Sequence, residues 1–293
     1  MPKKLHLYNA IMVLSFFALW ISIQVPDKWE FAIGYFLILT IGVGHGANDL
    51  KIYFNTKKNN NKNVFSFNAL YALVVLMGFA LFFIIPEVIL VLFILISGYH
   101  FGQEHFERYK IASFWLYNLF LTSYGLNIIL TLLVIHHTDS ILIINDLLKT
   151  EITYSFLLYP LIVSAAIMII SSIKVMKSLS WNMIGREIFY LIVLYLLFQT
   201  ASLLWGFAIY FILWHSIPSI YNQIAFLNGE VSKGSIKKYI INSLIYWIGA
   251  LVFLAVLYYF LKDYTNLFLS TIIAFLGGIT FPHVFVMNHL HKK

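Results

Sequence analysis

The 293-residue chain has no cysteine, little charge (11% of residues) and no internal repeat at a fixed period, and each shortage closes off a class of protein. Without cysteine there can be no disulfide, no thiolate-bound iron–sulfur cluster and no covalently attached c-type haem. Any metal site must then be built from His, Asp or Glu. Without a repeat, a reading built on the inverted halves of many secondary transporters is weakened. The net charge of +7 would suit nucleic acid in a soluble protein. Here the basic residues lie between apolar runs, where they read as loop charge next to anionic lipid head groups, so no nucleic-acid role follows.

What the chain has in excess is apolar: 61% of residues are hydrophobic. They fall in runs that repeatedly exceed the ~18 residues suited to a bilayer-spanning helix. The expected fold is all-α: a polytopic membrane bundle of about ten helices, forming a single integral membrane domain over residues 1–293. The expected spans lie near 8–24, 31–52, 66–85, 88–109, 113–135, 154–176, 187–202, 204–226, 239–262 and 266–289. The seventh is short and its turn into the eighth is barely marked. Lys3 and Lys4 ahead of an apolar run mimic a signal peptide, but no small-residue cleavage site precedes Pro26, so this run is expected to be the first span.

Charge gives the expected orientation. With a cytoplasmic N-terminus, every Lys and Arg except Lys28, Lys149 and Lys262 falls on the cytoplasmic side, as the positive-inside bias requires. Both termini are then cytoplasmic, in a multi-pass protein of the cell inner membrane. The polar stretch 55–63, Asn-Thr-Lys-Lys-Asn-Asn-Asn-Lys-Asn, is expected to be a cytoplasmic loop.

Histidine is the residue whose placement is informative. Of ten, His6, His136, His137, His289 and His291 fall at helix ends, and His105 is close enough to Arg108 to be interfacial. The other four, His45, His100, His215 and His283, lie in even-numbered spans that all run from outside to inside. Counted along those spans they agree in depth to within about 9 Å, at or below the midplane toward the cytoplasm. A lone membrane histidine is often a packed, hydrogen-bonded core residue. Four at one depth point to a shared site, because buried ionisable groups are costly unless they serve a function.

Neighbouring residues add chemistry. Asp49 follows His45 by four residues and Glu104 follows His100 by four, which on regular helices puts each carboxylate one turn below an imidazole. Such acids either orient metal-bound imidazoles or are solvated at cytoplasmic helix ends. Glycines 42, 44, 46, 98 and 102 bare the nearby backbone, which serves close helix packing or the approach of a cofactor or long ligand. Pro218 and Pro282 remove the donors for the carbonyls of Trp214 and Gly278, so kinks are expected beside His215 and His283.

These motifs together resemble the Brp/Blh-like β-carotene 15,15′-dioxygenases, integral membrane enzymes of bacteria and archaea. His-Gly-Ala-Asn-Asp at 45–49 is similar to the family's HGxxD-type box, Tyr99-His-Phe-Gly to its YHFG box, Leu213-Trp-His-Ser to its WHS box and Phe281-Pro-His to its final PH motif. The resemblance implies cleavage of the central double bond of β-carotene by dioxygen, giving two retinal molecules, at non-haem Fe(2+). His45, His100, His215 and His283 are carried over as catalytic metal ligands. It also implies a carotenoid substrate drawn from membrane lipid and a retinal hand-off to a rhodopsin.

Two positions depart from the family pattern. Ser219 stands where the WHS box usually continues to a second histidine, with Pro218 where arginine is common, and His105 stands where aspartate is usual. Asp49, Glu104, His105 and Ser219 are therefore expected as outer partners or compensating ligands. On a regular helix His105 lies ~140° around from His100, so ligation by it would need a kink. Other classes remain open at this point. His100 and His105 have the spacing of a desaturase's first histidine box, without its further boxes. A b-type haem protein, a proton-coupled transporter and a noncatalytic carotenoid- or retinal-binding relative are the remaining readings.

Overall fold

A computed structural model describes residues 2–57, 64–109, 115–261 and 265–291. Most of the expected polar loop 55–63 and the charges of Lys58, Lys62, Lys110, Lys262, Lys292 and Lys293 lie outside the described residues. In chain order the helices are α1 (Pro2–Gln24), α2 (Asp27–Leu37), α3 (Asp49–Lys57), α4 (Val64–Ile84), α5 (Pro86–Phe106), α6 (Trp115–Ile135), α7 (His137–Leu148), α8 (Tyr154–Met176), α9 (Trp181–Thr200), α10 (Leu203–Ile209), α11 (Ile217–Asn228), α12 (Lys233–Leu261) and α13 (Thr265–His291). Among the described residues nine helical stretches are long and apolar enough to cross a membrane. Their length and composition suit a multi-pass membrane bundle.

The expected second span, 31–52, is where the structure differs. It is divided into α2, a π-helical turn Ile38–Gly42, a non-helical turn over 45–48, and α3. Three glycines at alternate positions, 42, 44 and 46, carry little side chain to hold a regular helix through this point. The weakly marked boundary between the seventh and eighth spans resolves clearly. Ala201 is extended, and the Ser202 hydroxyl caps α10 by accepting the Trp205 backbone N–H at 3.3 Å.

The prolines act differently from each other. Ahead of Pro218 the helix widens into a π-helical stretch, Tyr210–Ser216, and the Ile217 N–H bonds back to the Ile212 carbonyl. The expected disturbance beside His215 is thus a local change of helical pitch, a known way to absorb a helix defect. Pro282, by contrast, lies inside a continuous α13. The helix beside His283 is not interrupted at this proline.

The chain divides into two compact units. The first comprises Met1–Ile38, Ser97–Ile141 and Ile152–Pro218. In it α6 packs on α8, α1 on α9 and α10 on α2. The Trp205 indole N–H donates to the Ala18 carbonyl at 3.2 Å and that of Trp214 to the Ser15 hydroxyl at 2.9 Å, tying α10 and the π-helical stretch to α1. The C-terminal half of α5 meets α6 at backbone distance. A Cβ on Gly102 would lie 2.0 Å from the Leu121 carbonyl oxygen, and one on Gly125 would lie 2.0 Å from that of Gly98. At this seam glycine is required, and of the two readings of Gly98 and Gly102 close packing prevails.

The second unit comprises Leu39–Ile96, Leu142–Glu151 and Ser219–Lys293. There α13 packs against α4, α3 and α12. The helical stretches that carry His215 and His283 are the most enclosed, 61% and 67% buried, whereas the spans within α4 and α12 are each 11% buried. Large apolar side chains such as Leu70, Ile84, Ile245 and Tyr259 face outward. That suits helices surrounded by lipid, with no water to drive them inward.

Candidate metal centre

His45 stands in the second unit, where the π-helical turn gives way to the turn over 45–48. Its Nδ1–H donates to the Gly42 carbonyl oxygen three residues back. A carbonyl can only accept, so the proton sits on Nδ1 and the Nε2 of the neutral ring carries the lone pair. On α13, Nδ1 of His283 lies 2.9 Å from both carboxylate oxygens of Asp49. A carboxylate likewise accepts, so in the neutral His283 ring the proton is on Nδ1 and the lone pair on Nε2. The two rings meet edge to face with centroids 4.7 Å apart. Tyr71 of α4 completes the chain of contacts by donating its hydroxyl to Asp49 Oδ2 at 2.7 Å.

Two expectations need correction here. Asp49 was expected to serve His45, four residues earlier on one helical face. The turn over 45–48 breaks the helical period, and the carboxylate reaches His283 instead. The alternative of solvated acids at helix ends also fails, because Asp49 and Glu104 are each only 1% exposed. At Gly46 a Cβ would sit 3.5 Å from His283 Nδ1, so the His283 ring lies against this bare backbone.

The other two histidines pair in the first unit. His100 on α5 and His215 in the π-helical stretch place their ring centroids 4.8 Å apart, again edge to face. Phe101 packs on His215 at 4.5 Å and Phe211 stacks nearly parallel to it at 5.6 Å. Both imidazoles are buried in this largely aromatic setting. Neutral, buried imidazole is a ligand suited to several transition metals, and His45, His215 and His283 are of the kind that can hold one.

A family model described as beta-carotene 15,15'-dioxygenase matches residues 36–291. The chain belongs to the β-carotene 15,15′-dioxygenase family. No curated protein and no solved structure matches it. The match begins in the last turn of α2 and ends in the last turn of α13, so all four histidine boxes of this dioxygenase-family member fall within it.

His105, expected as an interfacial or compensating histidine, is buried. Its Nε2 lies 2.7 Å from Glu187 Oε2 on α9 and 3.1 Å from the Tyr124 hydroxyl. The ring stacks on Tyr124 and Trp214, and α5 runs as regular helix through this position. Tyr109 also donates to Glu187, and the Arg186 guanidinium is 3.5 Å from the Tyr109 oxygen. Sequence reasoning missed Glu187 and Tyr71. A carboxylate inside the apolar span Trp181–Thr200 was a usable signal for the first. Tyr71 carried none, since tyrosines recur along the whole chain.

Proposed function

We propose that this family member cleaves the central double bond of β-carotene with dioxygen, releasing two retinal molecules, at Fe(II) held by His45, His100, His215 and His283. The observation that carries the reading is the pairing of His283 with the buried Asp49 carboxylate inside a chain that matches the family over residues 36–291. A buried acid on Nδ1 is how proteins orient a metal-bound imidazole and raise its basicity. The donor set of neutral imidazoles fits ferrous iron.

When bound, Fe(II) supplies the activation of dioxygen that the polyene cannot achieve alone. The reaction balances without an external reductant: the C=C and O–O bonds break, and each carbon gains one oxygen atom. The protein's part is to orient the imidazoles. Asp49 and the Gly42 carbonyl keep protons on Nδ1 of His283 and His45, leaving Nε2 free of a proton for ligation. Phe101 and Phe211 give an apolar wall beside His215, suited to a hydrocarbon and hostile to water. We take Glu187 to hold His105, which leaves His105 outside the ligand set. A lipid-dissolved polyene reaches such a site laterally, and the distribution of lysine and arginine supports cytoplasmic termini.

Expression in bacteria that accumulate β-carotene tests the reading. Loss of colour with appearance of retinal, abolished by His283→Ala, is the expected result. Retained colour at good expression with iron supplied overturns it. If carotenoid then co-purifies with the protein, the noncatalytic carotenoid-binding reading takes its place, and Ser219 at a usual histidine position is the observation that favours it.

A further inference from the structure

The backbone carbonyl of His45 has left helical bonding. In a regular helix it would accept from the Asp49 N–H, but that N–H goes to the Gly46 carbonyl at 3.2 Å. A carbonyl displaced in this way inside a membrane protein has no bulk water to turn to and must be satisfied by the protein. Two buried side chains from other helices converge on it. Gln223 of α11 donates its amide to the His45 carbonyl oxygen at 2.9 Å, and the Tyr239 hydroxyl of α12 lies 3.3 Å from the same atom.

These two groups are themselves locked. The Tyr239 hydroxyl donates to Gln223 Oε1 at 2.7 Å, the Gln223 amide donates to the Ser219 hydroxyl one turn back at 3.1 Å, and Asn48 Nδ2 donates to the Tyr239 backbone carbonyl at 3.3 Å. Ser219 and Gln223 are fully buried and Tyr239 is 4% exposed. Ser219, at the position where the family usually has histidine, is thus taken up in a network that grips the main chain of His45. With the Gln223 amide on its carbonyl and the Tyr239 hydroxyl fixing that amide, the backbone of the His45 turn is held in place.

We infer that Gln223 and Tyr239 are positioning residues for His45: they hold the backbone of the 45–48 turn so that the imidazole presents Nε2 to a metal. This rests on the metal-binding reading above. Neither residue touches the metal in this account, and Ser219 serves only to orient Gln223.

The test is cobalt(II) binding by the full-length protein in detergent, read as affinity by chelator competition and as the visible ligand-field spectrum. Tyr239→Phe and Gln223→Met are each expected to weaken cobalt binding by about tenfold, as outer partners of metal ligands do, and to shift the visible bands. Ser219→Ala, which removes only one contact of the Gln223 amide, is expected to weaken cobalt binding less than Tyr239→Phe does. Tyr239→Phe removes one oxygen atom and carries the test if Gln223→Met does not fold. Wild-type affinity and spectrum in Tyr239→Phe, with His283→Ala losing cobalt, overturns the inference alone. Loss of binding in Ser219→Ala without loss in Tyr239→Phe also overturns it, in favour of Ser219 as a ligand. Wild-type cobalt binding in His283→Ala instead overturns the metal-site reading, and this inference with it.

Discussion

Replacing Asp49 by asparagine changes almost no volume but alters what His283 meets. The carboxylate is 1% exposed, lies 2.9 Å from His283 Nδ1 through both oxygens, and accepts from Tyr71 at 2.7 Å through Oδ2. An asparagine with its oxygen at the Oδ2 position keeps both partners but loses the negative charge. Hydrogen bonds to charged groups contribute about 1.5–3 kcal/mol against about 0.5–1.5 for neutral ones, so the exchange costs about 1 kcal/mol. The amide nitrogen then faces the His283 Nδ1–H, donor against donor, which adds to that. A loss of about 1.4–2.8 kcal/mol in metal binding follows, or 10–100-fold in affinity. The assay is metal retained per protein after competition with a chelator, beside retinal formed from β-carotene in detergent. Tyr71→Phe, which leaves the Asp49–His283 contact in place, should lose only a few-fold. Wild-type metal affinity in Asp49→Asn, or a larger loss in Tyr71→Phe than in Asp49→Asn, refutes the assignment of Asp49 as the group that orients His283.

His105→Ala is expected to lower the thermal midpoint by taking the imidazole from the buried Glu187 carboxylate, at a cost of about 3–5 kcal/mol, and Glu187→Gln, which keeps an accepting oxygen, by less, while metal content stays at the wild-type level in both. Metal loss in His105→Ala would make it a ligand after all. Gly102→Ala forces a methyl onto the Leu121 carbonyl and should destabilise by about 1–3 kcal/mol in a detergent melting experiment, with Gly185→Ala, where a Cβ meets nothing within 4 Å, as the neutral comparison. Stripping the protein with a chelator should abolish retinal formation, and Fe(II) but not Mg(II) should restore it, because imidazole ligands favour the transition metal.

The helical membrane architecture was legible because apolar runs of spanning length need little context to be recognised. Nine of the ten expected spans have a counterpart among the described residues. The exception, 31–52, shows the limit: hydropathy counts apolar side chains, and glycines that interrupt a helix barely change the count. From that break came the wrong partner for Asp49, since a four-residue spacing identifies a neighbour only while the helix stays regular. The four histidine boxes were legible as residue types in order. Their outer partners were not, because Tyr71, Glu187, Gln223 and Tyr239 come from distant segments and are single polar residues within long apolar helices. His105 was misplaced for a related reason: Arg108 close by in sequence hid a carboxylate 82 residues away.

The glycine seam between α5 and α6 bears on traffic. A substrate dissolved in lipid must slip between helices to reach the interior, and where the Leu121 carbonyl oxygen stands 2.0 Å from the space of an absent Gly102 side chain, no hydrocarbon chain can pass. That face of α5, opposite His100, is a closed wall. Under the proposed reaction a polyene bound for the histidines has to use another door.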